Sequence, residues 1–363
     1  MPKATTLARL GRTTFCALLL AAMGHFAPVN ATETVKLTIV AGHPPVFLWV
    51  KHFKETLVPT VDAELAKTGK YKIEWTQAYG GTVAKVGEEL EAIEQGLADL
   101  GGSWSLFDAA KLPLQNVSYF TPFVTSNGEL VAEVTEELQR EYPEMGKLWE
   151  RYNQIYLGGG VSIDGYNLWS KFPVTKVADL AGRKIGAPGP AANWLKGTGA
   201  VGVAGNLTEY YNDLKTGVYD GVVVFFTAAA PARLHEVAPH VTIVDFGSPY
   251  GGGITFNMNR WKSLPEEVRA AVKTAVGAFR TAYYVELRAR TAGAMDAVVK
   301  GGGKISELPA AERAKWANAI PNVALPWAKG LDQQGLPGTE VLKAYMAKMK
   351  SRGLKPLRDW TSE

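Results

Sequence analysis

From Pro265 to Val299 the chain reads PEEVRAAVKTAVGAFRTAYYVELRARTAGAMDAVV, 35 residues with no proline after the first. At 1.5 Å per residue, a helix over this stretch is a rod of roughly 50 Å, longer than one small domain is wide. Ser263 in the N-cap position, Glu266 and Glu267 in the first turn, and Gly301-Gly302-Gly303 past the end supply start and stop signals that set the helix over 264–300. A fold that contains this rod must offer it two lobes to lie across.

The rest of the chain alternates between two hydrophobic periods. Val35 to Val40 (VKLTIV) is strand-like, and GHPPVFLWVKHFKETLVPTVDAEL is a proline-bearing loop followed by a helix. YKIEWTQAY alternates as a second strand, and AKVGEELEAIEQGLADL places Val86, Leu90, Ile93 and Leu97 on one helical face. The order strand, helix, strand, helix predicts an open α/β sheet. It resumes after Gly160 with YNLWS, RKIGA, EYYNDLKTG and GVVVFF. With 47% hydrophobic residues, a chain of this length exceeds one ordinary core. No Pro/Ser-rich tether separates two halves, so the lobes are expected to be joined by strands. The expected division is 32–163 plus 251–288 for the first lobe, 164–250 plus 289–345 for the second, and 346–363 as a C-terminal segment.

Lys3, Arg9 and Arg12 precede an apolar run from Phe15 to Met23, and Val29-Asn30-Ala31 offers small residues for a cut, the pattern of a secretory signal peptide over 1–31. The expectation is a periplasmic protein starting near Thr32, since no later segment offers about 18 uninterrupted apolar residues. Cys16 is the one cysteine and goes with the leader. Disulfides, a thiol nucleophile and cysteine-held metal are thereby excluded from the processed chain. Losing the leader removes three basic and no acidic residues, so the formal charge falls from +4 to +1. Nothing in that balance points to nucleic acid as a partner.

Gly197-Thr-Gly199-Ala-Val-Gly202 matches G-x-G-x-x-G, but the helical-looking AANWLK precedes it and an extended VGVAG follows. That is the reverse of the strand-then-helix context a dinucleotide needs, so the motif reads as a helix-to-strand turn and no cofactor is implied. Gly101-Gly-Ser103-Trp-Ser105 resembles half of a nucleophile elbow without its closing glycine, which keeps an exported serine hydrolase centred on Ser103 as an alternative. Phe47, Trp49, Trp104, Tyr166, Trp169, Trp194, Phe225 and Phe226 fall at or beside predicted strand ends, the edge where open α/β sheets hold ligands. An aromatic-lined cleft between two lobes is the expectation.

The segments AYGG…GEELEAIEQGLADLG, SYFTPFVTSN, VADLAGRKIGAPG, GVYDGVVVFF and FNMNRWKSLPEEVRAAV, in this order, resemble the DctP-type solute-binding proteins of tripartite ATP-independent periplasmic (TRAP) transporters over nearly all of the processed chain. The resemblance implies a two-lobe periplasmic-binding-protein fold with crossing strands and a helix packed across both lobes. It also implies closure on a small ligand that is handed to a membrane permease without ATP. In that family an arginine that clamps a substrate carboxylate stands where this chain has Gly186. A second basic position corresponds to Tyr166, an asparagine to Val224, and an acidic position to Trp104. Each polar anchor is replaced by a glycine, an aliphatic or an aromatic.

The expected function is therefore a binding protein, not an enzyme, for a small organic ligand with an aromatic or apolar body, carrying at most one carboxylate. Tyr166, Asn167, Trp194 and Phe225 are expected on one wall, and Phe47, Glu88, Ser103 and Trp104 on the other. The absent side chain at Gly186 is expected to leave room for a larger ligand. A stand-alone periplasmic sensor without a permease is the remaining alternative.

Overall fold

The computed structural model describes residues 31–363, so the expected signal peptide, apart from Ala31, lies outside the described residues. Eleven strands among these residues form two sheets. They are β1 (Glu33–Ala41), β2 (Tyr71–Tyr79), β3 (Leu100–Ser103), β4 (Gln154–Ser162), β5 (Tyr166–Ser170), β6 (Lys184–Ala187), β7 (Val201–Ala204), β8 (Gly221–Phe225), β9 (His240–Ile243), β10 (Tyr250–Asn257) and β11 (Lys304–Glu307). The first sheet has the order β2-β1-β3-β10-β4 and the second β11-β9-β5-β8-β6-β7. In the first, β1 runs parallel to β2 and β3, while β10 is antiparallel to β3 and β4. Parallel neighbours need a crossover, and the helices Leu48–His52, Val58–Ala66 and Glu89–Glu94 lie on those connections. The fold is the expected two-lobed α/β architecture, and the chain passes between sheets three times, directly from β4 to β5 and from β9 to β10, and from β10 to β11 by way of the long helix.

The long helix spans Glu266–Lys300. Its start differs from the expected cap. Ser263 ends a preceding short helix, Met258–Ser263, and its hydroxyl donates back to Arg260 O at 2.7 Å, so Pro265 stands at the N-cap with no side-chain capping bond. Along its length Val268, Val272, Ala275, Phe279, Tyr283 and Leu287 are buried, an apolar stripe of helical spacing, and Val298 is buried near its far end. The second helix of the sequence reading is much shorter than expected. Gly87 and Gly96, both with positive φ, bound it to Glu89–Glu94, and Leu97 is left exposed. Gly197 and Gly199, also at positive φ, make the expected turn into β7. The expected boundary after residue 345 falls inside a continuous helix, Gly338–Ser351, whose Lys348 pairs with Glu137 and Glu141 on the helix Gly128–Glu141.

The rod is fixed to the first crossing by two tyrosines. Tyr283 donates its hydroxyl to Ser162 O (2.8 Å), while Tyr284 accepts from Ser162 N (2.9 Å) and donates to Gly160 O (2.8 Å). Lys51 and His52 on the first-lobe helix meet Glu286 one turn further on, at 2.7 and 3.0 Å. Tyr284→Phe deprives both a buried N–H and a buried carbonyl of their partner. We expect it to cost about 2 kcal/mol in an equilibrium urea unfolding curve, against about 1 kcal/mol for Tyr283→Phe.

Candidate functional site

The two direct crossings are Ile163-Asp164-Gly165 and the run from Val244 to Pro249. Neither passage has a regular sheet ladder, so side chains satisfy part of its backbone, and in the second crossing Phe246 N donates to Tyr166 O (3.1 Å) and Ser248 N to Thr125 O (2.8 Å). Ser248 donates to Ile163 O, and Ser162 donates to the carbonyls of Ser248 (2.9 Å) and Pro249 (2.8 Å). Asp164 is buried and accepts from Phe226 N (2.8 Å), Thr227 N (3.2 Å) and the Thr227 hydroxyl, capping the four-residue helix that follows β8. Burial lifts the Asp164 carboxyl to a pKa of about 6, against the lowering effect of those hydrogen bonds.

This hinge places Tyr166, the first residue of β5, directly opposite Phe225, the last of β8, with ring centroids 5.3 Å apart and nearly perpendicular. A cavity of about 60 Å³ opens beside them. The first lobe contributes His43, Trp49, Trp104, Leu106, Phe107 and Val161, and the second contributes Pro188, Leu207, Tyr210, Val223, Val224 and Phe225. Tyr119, Ile163, Tyr166 and Gly251 close the hinge side. An aromatic contact bridges the lobes: Trp49, 6.2 Å from Trp104 within the first lobe, is 6.1 Å from Phe225 of the second. Gly189, at φ +48°, brings the second lobe against the first: a Cβ there would overlap the carbonyl oxygen of Leu106. No Lys, Arg, Asp or Glu is among the lining residues. Burial pushes the His43 imidazole down to a pKa of about 3, so it is neutral near pH 7.

Of the ten expected site residues, Trp104, Tyr166, Val224 and Phe225 come together on this cavity. The other six are elsewhere. Phe47 stacks behind Trp49 at 5.3 Å. Glu88 is exposed and accepts from Lys85 N (2.9 Å), while the buried carboxylate is its neighbour Glu89, bonded to Gly42 N and Gly87 N and raised by burial to about 7. Asn167 is on the buried side of β5, where its Oδ1 accepts from Val244 N (3.0 Å) and Asp245 N (2.9 Å) to hold the second crossing. Trp194 is fully buried, stacked between Tyr119 and Phe246, and its indole N–H donates to Tyr119 O at 2.7 Å. It is a core residue, and a substitution there would disturb packing before it touched a ligand.

Ser103 is fully buried and bonds Gln154 Oε1 (2.9 Å) and Thr255 Oγ1 (2.7 Å), not a histidine, so it has no base to activate it. The space expected at Gly186 is filled. A Cβ there would lie 3.1 Å from the Tyr219 ring and 3.2 Å from Val222, and Tyr219 is tied by its hydroxyl to Ala204 O (3.2 Å). The sequence reading missed His43, Tyr119 and Tyr210. His43 stands two residues beyond β1, the same strand-end signal that marked the aromatics, but Tyr119 and Tyr210 have no such signal.

Two α/β lobes joined by crossing strands, with a lined cavity where they meet, define the class of two-lobed solute receptors. The chain matches the family DctP, bacterial extracellular solute-binding protein, family 7, over residues 45–329, and it belongs to that family. It is 26% identical over 243 residues to the C4-dicarboxylate-binding periplasmic protein DctP of Rhodobacter capsulatus, covering 65% of this chain and 71% of that protein. Its fold is similar to that of DctP7, a Bordetella pertussis extracytoplasmic solute receptor binding pyroglutamic acid (TM-score 0.74, 20% identity, 86% of this chain and 99% of that one). It is also similar to a TRAP solute-binding protein from Rhodoferax ferrireducens in complex with copurified benzoate (TM-score 0.76, 17% identity, 88% and 98%). These relatives are receptors, and the chain is an extracytoplasmic receptor for a small organic ligand rather than an enzyme.

The raised pKa of Asp164 gives a stability term with a definite sign. Because the folded-state value, about 6, exceeds the ordinary 3.8, this term is fully present below pH 4 and is lost as pH rises through 6. Asp164→Asn keeps an acceptor for the helix N–H groups and cannot ionise. Its stability relative to the parent should therefore improve from pH 4.5 to pH 7.5, by at most about 3 kcal/mol, in paired denaturation curves.

Proposed function

We propose that this receptor captures a small ligand with an apolar or aromatic body, holds it between Trp49 and Trp104 of the first lobe and Tyr166, Tyr210, Val224 and Phe225 of the second, and delivers it to a TRAP permease. One observation carries the reading: the residues lining the cavity between the lobes include no charged side chain. A carboxylate enclosed there without a cation costs several kcal/mol. An aromatic face gains about 25 cal/mol per Å² buried, so 100 Å² contributes about 2.5 kcal/mol, and edge or face contacts with the lining rings add to it. The filling of the space at Gly186 by Tyr219 points the same way, since no cavity is left there for a carboxylate and its counter-ion. Benzoate in the Rhodoferax relative is a precedent for an aromatic body in this fold.

The cavity volume bears on how closure is coupled to binding. About 60 Å³ is less than the ~150 Å³ of a cavity that takes up benzene, so a ringed ligand sets how far the lobes approach. Closure then follows from the ligand's better fit to the near arrangement, with the crossings as the hinge.

The test is a thermal-shift panel on the processed protein, purified through unfolding and refolding to strip carried ligand. It comprises C4 dicarboxylates, sugar acids, aromatic and alicyclic monocarboxylates, and their neutral analogues. Aromatic or alicyclic compounds should raise the midpoint by several degrees, since a ligand at 100 times its Kd adds about 2.7 kcal/mol. Stabilisation by succinate or malate alone would refute the apolar reading. Closure has its own test in Gly189→Ala, which should weaken the best panel ligand by at least about tenfold in calorimetric titration, beyond the loss of about 1 kcal/mol of stability that the positive φ at that position imposes on the free variant.

A further inference from the structure

Buried polar atoms in folded proteins are nearly always paired. On the first-lobe wall three are not. His43 Nδ1, Trp49 Nε1 and Trp104 Nε1 are shut off from solvent with no hydrogen-bond partner in the protein. Each of these side chains is more than nine-tenths buried, and each residue lines the cavity. They are neighbours: the His43 and Trp49 rings are 5.2 Å apart and the Trp49 and Trp104 rings 6.2 Å. Trp169 and Trp327 also carry unpaired indole nitrogens, but neither lines the cavity.

An indole N–H donates and never accepts, so two of the three nitrogens call for an acceptor. The lining hydroxyls do not meet that need. Those of Tyr119 and Tyr166 face each other at 3.5 Å, and that of Tyr210 turns to Gly205 O at 3.4 Å. The acceptor comes from outside the protein, and a ligand in the cavity can supply it. A carboxylate offers acceptor oxygens, but its charge would find no Lys or Arg in the lining and only a neutral imidazole. It would also lie near the Asp164 carboxyl group, which follows the lining Ile163 and precedes the lining Tyr166 by two residues.

We propose that the polar end of the ligand is an uncharged carbonyl group, as in an amide, lactam or ketone, received by the ring nitrogens of Trp49, Trp104 and His43. This rests on the apolar-ligand reading above and names the chemistry of the ligand's other end. The nitrogens that choose the ligand lie on one lobe, while the second lobe closes over its apolar body with Val224 and Phe225.

The test holds the ring constant and varies the head group. Benzamide, acetophenone, benzoate and benzene are titrated calorimetrically into the refolded processed protein at pH 8, and into Trp49→Phe and Trp104→Phe, which keep an aromatic ring and lose the N–H. Benzamide and acetophenone should bind at least about tenfold more tightly than benzoate or benzene. Each variant, checked as folded by far-UV circular dichroism, should lose about threefold to tenfold more affinity for benzamide than for benzene, since both ligands lose the same ring contact and only benzamide loses a hydrogen bond. Benzoate binding best, or equal binding of benzamide and benzene, overturns the inference on the parent protein alone, whether or not a variant folds. Unchanged benzamide affinity in both folded variants overturns it as well. If no ring compound binds at all, the apolar-ligand reading itself fails.

Discussion

Where the backbone leaves β4 and enters β5 it is buried and has no neighbouring strand, and each of its peptide groups needs a partner from elsewhere. Tyr284 and Tyr283 serve Ser162, Ser248 serves Ile163, and Asp164 turns its carboxylate to the N–H groups that begin the helix after β8. Asn167 does the same for the second crossing at Val244 and Asp245. The position of the long helix follows from this need, because the two tyrosines that complete the crossing are part of it. So does the geometry of the cavity: Tyr166 and Phe225 stand opposite each other because the strands that carry them are paired up to the hinge.

At position 186 the glycine is accompanied by Tyr219, whose ring occupies the direction a side chain would take. Gly205 lets Tyr219 and Tyr210 approach the backbone, since a Cβ there would crowd both rings. Tyr210 then supplies part of the cavity wall. The wall is therefore packed with rings and aliphatic side chains, and no charged residue is among those that line it.

The large features were legible because they rest on long patterns. The rod shows in its length and lack of proline, and the two α/β lobes show in the alternation of strand and helix. Finer placement failed wherever it depended on which side of a strand a residue faces. Tyr166 lines the cavity while Asn167, one residue on, points into the hinge; both faces of such a sheet are buried, so composition gives no sign of the difference. Trp104 just beyond β3 and Trp194 in the short helical segment Gly189–Leu195 are the same residue type, and Trp194 is locked between two rings by a bond to Tyr119 O while Trp104 reaches the cavity. The filling of Gly186 by Tyr219 is a contact between β6 and the turn that leads into β8, which no local reading contains.

On the proposed carbonyl recognition, closure and recognition are linked through the same three nitrogens. Bringing Trp49 against Phe225 joins apolar surfaces, which favours the near arrangement, but it also seals His43 Nδ1, Trp49 Nε1 and Trp104 Nε1 from water without partners. Each sealed, unpaired donor costs about 1 to 3 kcal/mol, comparable to what the aromatic contacts return. Closure without a ligand is thus held near balance. A ligand that brings an acceptor removes the penalty and keeps the gain, so its differential affinity for the closed lobes is built from the bonds that identify it. A hydrocarbon of the same shape would fill the cavity and still leave the donors unpaired, and so would bind without closing the lobes as firmly.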